Sequence, residues 1–208
     1  MALGRLILLR HGETAWSLSG QHTGRSDIPL TPAGVARARA LAPWATTLTP
    51  RQVRCSPLSR ARDTCAAAGL TPTCLDDDLL EWDYGAWEGV TTADIRARRG
   101  EPEWTVWSDP IPPGNTPGEQ AEDVAVRASR VISRCLPDLV DGGDCVLVAH
   151  GHYLRILTAT WLGLPARAGR LWALDAGAVS LLGFEHEQRV IRAWNLPAEA
   201  MDPTLPRA

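Results

Sequence analysis

Two stretches of the chain use one device, a short apolar run that empties into His-Gly. Residues 6–12 read Leu-Ile-Leu-Leu-Arg-His-Gly, and residues 145–151 read Cys-Val-Leu-Val-Ala-His-Gly. A brief apolar run bounded by polar residues is the pattern of a fully buried strand. In open α/β sheets ligands bind beyond the carboxyl ends of the strands. His11 and His150 are therefore expected to face one pocket, with Arg10 beside the first.

The rest of the chain supplies helices between strands. Residues 13–30 are rich in Gly, Ser and Thr and read as a loop over the end of the first strand, with Ser17, Gln21, His22 and Thr23 as short donors near an anion. Thr31-Pro32 opens a helix expected to reach residue 47, and Ser56-Pro57 opens another that Gly69 stops. Residues 52–55 and 73–75 read as short strands, and residues 79–89 as a turn-rich aromatic and acidic segment before a helix over 92–99. Residues 109–118 hold four prolines and read as a loop long enough to act as a lid. Helices over 119–136 and 151–162, a strand over 144–149, and a hairpin from 178–184 and 190–194 complete the pattern, with the tail after Leu196 expected to fray. Strands alternating with helices predict an α/β fold with a largely parallel sheet. At 208 residues one domain over residues 1–196, with a tail over 197–208, is expected.

Composition excludes several classes of function. A formal net charge of −3 and a pI near 5.9 give no basic field for nucleic acid or an anionic membrane. All 21 basic residues are arginine. Schiff-base lysine chemistry and a phosphate-loop lysine are thereby excluded, and the guanidinium fork is left to bind anions. Five cysteines, Cys55, Cys65, Cys74, Cys135 and Cys145, form no C-x-x-C pair. An odd number fits reduced core thiols, so the cytoplasm is the expected compartment. The apolar start is too short for a signal segment, and no run approaches the ~18 residues of a membrane span. The histidines lack paired ligand spacing, so neither metal nor other cofactor is expected. Oligomeric state is left open, a homodimer included.

Phosphoryl transfer needs positive groups on the equatorial oxygens, an in-line nucleophile and a proton for a poor leaving group. Arg10 and Arg60 can grip phosphate oxygens, His150 can join them, and His11 can attack. Arg60 lies within the first two turns of its helix, where a cation is best placed if an anion shares that helix end; Arg62 nearby reads as surface. Adjacent guanidinium groups should hold the His11 ring neutral and nucleophilic. Glu81, in an aromatic segment, should have a raised pKa suited to an acid that later acts as base. Glu88 and Asp83 are its rivals, and Glu13 reads as structural.

Four motifs in order resemble the histidine phosphatase superfamily, the phosphoglycerate mutase-like fold. They are Leu9-Arg10-His11-Gly12-Glu13-Thr14-x-Trp16, Ser56-Pro57-Leu58-x-Arg60-Ala61-x-x-Thr64, Leu80-Glu81-x-x-x-Gly85-x-x-Glu88-Gly89 and His150-Gly151. The resemblance implies a three-layer α/β/α sandwich, no metal, and a phosphohistidine formed at His11. It also implies a phosphate pocket of Arg10, Arg60 and His150, with Glu81 as proton donor. Ser17, Thr23, Gly24, Gly151 and His152 would line the substrate side. The run Trp16-Ser17-x-Ser19-Gly20-Gln21-x-Thr23-Gly24 looks like the small acid phosphatases and sugar-bisphosphate phosphatases of that superfamily. The expected function is hydrolysis of small phosphate monoesters.

Two alternatives are weighed. A bisphosphoglycerate-dependent mutase must hold a second acidic group with extra cations. Registered on Glu81, its substrate lysine falls at Thr92, and no arginine occurs between Arg99 and Arg127. A module that binds phosphorylated ligands without turnover would need neither His11 nor Glu81. Gly118-Glu119-Gln120 stands where many relatives carry Gly-Glu-Ser, which leaves that loop's role open. Trp16, Trp82 and Trp87 are expected to wall the site, whereas His22 and His186 read as ordinary structural histidines.

Overall fold

The computed structural model describes residues 3–108 and 110–201. Strand β1 (Leu6–Arg10) leads through α1 (Ala15–Ser19), α2 (Pro32–Ala40) and α3 (Ala42–Ala45) to β2 (Gln52–Cys55). Then come α4 (Ser59–Ala67), β3 (Cys74–Leu75), α5 (Thr92–Arg99), α6 (Ala121–Val140) and β4 (Cys145–Ala149). Helix α7 (Gly151–Trp161) and the hairpin of β5 (Val179–Glu185) and β6 (Gln188–Leu196) complete it.

The six strands form one sheet in the order β3-β2-β4-β1-β5-β6. The first four are parallel, and β5 and β6 add an antiparallel edge. Side chains alternate between faces of a strand, and on β1 and β4 both faces are apolar. Leu6, Leu8, Leu147 and Ala149 enter a core shared with α6 and α7. Ile7, Leu9, Val146 and Val148 enter the opposite core, with Leu41, Ala61 and Cys65. Helices thus cover both faces, which is the three-layer sandwich. Arg10 lies opposite Ala149, and the His11 N–H donates to the Ala149 carbonyl at 2.9 Å. Two adjacent parallel strands therefore release their histidines side by side.

Local chemistry moves several boundaries. The 13–30 segment contains α1, because Thr14 accepts from the Ser17 N–H at 3.1 Å while Ser17 accepts from the Thr14 N–H at 2.9 Å, a reciprocal cap. The helix expected over 32–47 breaks at Leu41: Pro43 has no N–H for the Arg39 carbonyl, and α3 restarts with that proline in its first turn. Helix α4 begins at Ser59, not at Ser56, which still runs with the sheet and donates its N–H to the Val148 carbonyl at 3.0 Å. Helix α6 begins two residues later than expected and continues through Pro137 to Val140, since burial of Leu139 holds its last turn in the core.

The 110–118 loop is pinned where a lid was expected. Ile111 is buried in the core, the Gln120 amide holds the Ile111 N–H at 3.2 Å and its carbonyl at 3.3 Å, and the Ala86 N–H donates to Pro112 at 2.9 Å. Asp109 lies outside the described residues. Instead of fraying, the chain after Leu196 packs Ala198 and Met201 against Ile7 and Leu9; residues 202–208 lie outside the description. All five cysteines are free thiols, four of them buried. No helix among the described residues is long and apolar enough to cross a membrane.

Candidate active site

The corner after β1 is set by close packing. A Cβ on Gly12 would lie 2.7 Å from the Gly34 carbonyl oxygen, so only glycine lets the start of α2 approach. The Gly12 N–H donates to Thr64 Oγ1 at 2.9 Å, and the Thr64 hydroxyl donates to the Arg60 carbonyl at 2.7 Å. The corner is thereby tied to α4. His11 sits on it, 5% exposed, with Nδ1 2.7 Å from the Gly12 carbonyl oxygen. A carbonyl only accepts, so Nδ1 carries the proton of the neutral ring and Nε2 keeps a free lone pair. Burial holds the His11 pKa well below the ordinary histidine range, with Arg60 and then Arg10 adding to the effect. Desolvation, and not the neighbouring arginines to which the sequence points, is the larger cause.

His150 is placed behind His11, ring centroids 5.1 Å apart, and is wholly buried. Its Nδ1 accepts from Arg60 Nε at 3.2 Å, which leaves Nε2 as the protonated nitrogen, 2.7 Å from Ser56 Oγ. Arg60 is equally enclosed: its terminal nitrogens donate to the carbonyls of Ser26 at 2.8 Å, Thr23 at 3.2 Å and Gly24 at 3.0 Å. The other side of that loop is held by Glu88, whose carboxylate accepts the Gly24 and Ser26 N–H groups at 3.0 Å. Arg60 and His150 thus back the site without lining its cavity, and Gly24 belongs to the clamp. Arg62 is exposed on α4.

The cavity holds about 270 Å³, the scale of a small molecule. Arg10, His11 and Glu81 are among the residues that line it. Arg10 donates from one terminal nitrogen to the Leu174 carbonyl, and its buried Nε has no partner among the described residues. Gly151 makes room for it, since a Cβ there would come within 3.1 Å of the guanidinium carbon. Glu81 caps the start of α7, accepting from the N–H groups of Trp82 at 2.9 Å, Tyr153 at 2.8 Å and His152 at 3.1 Å. Those bonds favour the ionised carboxylate, yet burial outweighs them and raises its pKa. Of the rival acids, Glu88 faces its loop, and Asp83 accepts from the Gly85 N–H at 2.9 Å and the Thr116 hydroxyl at 2.5 Å. Glu13 accepts from the Thr31 hydroxyl at 2.6 Å, as a structural group does.

Ser17, Thr23, Gly151 and His152 also line the cavity, joined by Gln21, His22, Tyr84, Thr92 and Arg155. Tyr84 Oη lies 2.6 Å from His152 Nδ1. His22, read from the sequence as structural, is buried yet reaches the wall, and burial lowers its pKa to about 4. Tyr84 and Arg155 escaped sequence reasoning. The signal for Arg155 was its spacing, one helical turn beyond Gly151 on the same face. The tryptophans do not wall the cavity: Trp82 packs edge-on against His152 from behind, Trp87 against Trp104, and Trp16 beneath Gly89. Glu119 pairs with Arg127 at 2.8 Å and Arg25 at 3.3 Å, and Gln120 anchors the 110–118 loop, which supplies no residue to the lining.

A model of the histidine phosphatase superfamily (branch 1) matches residues 6–197. An acid phosphatase of Mycobacterium tuberculosis is 38% identical over 194 residues, covering 92% of each chain. A sedoheptulose 1,7-bisphosphatase of Saccharomyces cerevisiae is 36% identical over 190 residues, 77% of this chain and 68% of that one. The solved structure of an open reading frame product from Mycobacterium tuberculosis superposes with a TM-score of 0.86 at 37% identity, over 94% of this chain and 98% of the other.

Proposed function

Because this chain belongs to the histidine phosphatase superfamily, we propose that it is a metal-independent phosphomonoesterase of the acid type, with His11 as nucleophile and Glu81 as acid and base. The observation that carries this reading is the His11 ring: Nδ1–H donates to Gly12, which leaves the Nε2 lone pair available in a cavity that Arg10 and Glu81 also line.

His11 Nε2 attacks the phosphorus as the ester P–O bond breaks, and the leaving oxygen takes the Glu81 proton. The Gly12 carbonyl steadies the positive ring while it carries the phosphoryl group. Glu81, now a carboxylate, removes a proton from water, whose oxygen attacks the phosphorus. The P–N bond breaks, phosphate leaves, and His11 returns to its neutral form. Arg10 supplies charge to the equatorial oxygens, with Arg60 reinforcing it from behind and the neutral His150 ring holding the Arg60 guanidinium in place. Guanidinium charge here takes the place a metal would hold in other phosphoryl-transfer sites.

The acidic optimum follows from two opposite displacements. A lowered His11 pKa keeps the nucleophile neutral below the usual histidine range, and a raised Glu81 pKa keeps the acid protonated above the usual carboxyl range. Release of p-nitrophenol from p-nitrophenyl phosphate between pH 4 and 8, undiminished by a chelator, is the test. No release would favour a module that only binds phosphorylated ligands. Offered 3-phosphoglycerate with bisphosphoglycerate, the protein should yield free phosphate; rapid isomerisation would overturn hydrolysis as its activity.

A further inference from the structure

Strand β6 carries an irregularity beside the site that the hydrolytic steps leave unused. Leu196 pairs with Val179 and Ala193 with Leu181, so Trp194 and Asn195 together stand opposite Ser180. Such a bulge re-aims side chains and is common next to active sites. Asn195 takes the left-handed backbone, φ 57°, and its N–H donates to Ser180 Oγ at 3.0 Å. Among the described residues the one other non-glycine with that backbone is His186, in the turn between β5 and β6. Asparagine tolerates the conformation better than most residues.

The bulge turns two side chains onto the segment 173–178. Asn195 Oδ1 accepts the Asp175 N–H at 2.7 Å, and Asn195 Nδ2 donates to Asp175 Oδ2 at 2.9 Å. The Trp194 indole N–H donates to the Ala173 carbonyl. Leu174, between these two anchors, offers its carbonyl to the Arg10 guanidinium. The segment then follows the end of β1: the Arg10 N–H donates to the Ala178 carbonyl at 3.1 Å, and the Gly177 N–H donates to the His11 carbonyl at 2.9 Å. With Arg10 Nε buried and unpartnered among the described residues, the Leu174 carbonyl is what aims the guanidinium.

We propose that Asn195 is a positioning residue: by clamping Asp175 it fixes the Leu174 carbonyl, and through that carbonyl the Arg10 guanidinium that meets the phosphate. The proposal rests on the hydrolase reading above and adds to it a residue outside the cavity lining. A misplacement on the order of 1 Å in a group that meets the transition state can cost ~100-fold in rate, even when the substitution is remote.

Asn195→Gly separates side chain from backbone, since glycine keeps the left-handed conformation without strain and loses both bonds to Asp175. It should lower kcat/KM for p-nitrophenyl phosphate roughly 10- to 100-fold, chiefly through kcat, and weaken competitive inhibition by inorganic phosphate. In an Arg10→Ala background the same change should cost less than about twofold, because the group it places is gone. Asn195→Asp sets a second carboxylate against Asp175 and should also lose activity. Adding Asp175→Asn restores an amide–carboxylate pair with the roles exchanged and should recover most of it. Thermal melting checks the fold of each variant, and if Asn195→Gly fails to fold, the single and double swaps decide. Equal losses with and without Arg10 overturn the proposal, as does a lowered Tm with kcat unchanged, or a double swap no better than Asn195→Asp. If the parent hydrolyses no ester, the hydrolase reading fails and calorimetric binding of inorganic phosphate decides the positioning. Weaker binding by Asn195→Gly then supports it, whereas equal binding, or none by the parent, overturns it.

Discussion

The ends of β1 and β4 begin from nearly the same sequence and finish as different chemical objects. Each strand is apolar on both faces and each delivers a His-Gly corner, yet among the described residues His11 has one ring nitrogen engaged and His150 has both. After Gly12 the chain departs into the segment that carries α1, whereas after Gly151 it enters α7 at once. The first corner therefore opens onto the cavity. The second is closed by Ser56 from β2's end and Arg60 from α4. A shared motif delivers an imidazole to a sheet edge, and the partners of its nitrogens decide whether it can attack.

The harshest way to break this contrast is to remove each ring. His11→Ala should lower turnover by at least about 10⁴-fold, as loss of a nucleophile does. After quenching with labelled substrate, no phosphate should remain on that protein. His150→Ala should lose less, roughly 10²-fold to 10³-fold, as a supporting electrostatic group does, and should still acquire label. Equal losses, or label on His11→Ala, would make the two corners interchangeable.

Glu81 extends the contrast to the acid. Glu81→Gln keeps the side-chain shape but cannot donate to and then accept from the reacting oxygens. For alkyl esters the loss should fall in the range of about 10²-fold to 10⁴-fold, and for an aryl ester with a good leaving group it should be much smaller. Equal losses for both esters would remove Glu81 from the proton path.

Much of this architecture was legible before any coordinates. The alternation of Leu6 to Leu9 and of Val146 to Val148 between two cores follows from apolar periodicity, and proximity of His11 to His150 follows from two parallel strands ending alike. What stayed hidden is non-local. Pro137 looks like a helix stop until Leu139 is seen buried, and 110–118 looks free until Gln120 and Ala86 are seen holding it. Tyr84 and Arg155 matter because α7 packs beside the aromatic segment, a contact that neither stretch announces alone. His22 shows the converse, a residue whose bland local context gives no sign that its ring reaches the cavity.

His22 also separates two causes that act together on the strand-end pair. Both His11 and His150 feel burial and guanidinium charge, whereas the lowering of His22 to about 4 comes from burial. Between its unfolded value near 6.5 and about 4, the unfolded chain binds a proton that the folded chain refuses. Stability from this group is full above the unfolded value and is lost as pH falls through that window, by about 3 kcal/mol in all. Denaturant unfolding at pH 7 and pH 4 should show His22→Gln losing less stability on acidification than the parent. A parent and variant with parallel pH dependence would mean that His22 is solvated.

The mildest perturbation tests the lock on the second ring. Ser56 is wholly buried, and its hydroxyl oxygen takes the His150 Nε2 proton at 2.7 Å. Ser56→Ala would strand that N–H, at a cost of about 1–3 kcal/mol, or a fall in Tm of several degrees. The freed ring could then satisfy its proton only by turning toward the cavity, where a bound phosphate offers the acceptor that Ser56 no longer provides. Inorganic phosphate should consequently raise the Tm of Ser56→Ala more than that of the parent, while kcat falls by less than about tenfold. Equal stabilisation of the two proteins by phosphate would mean that Arg60 alone fixes the ring, and that His150 supports the site through its position and not through a movable proton.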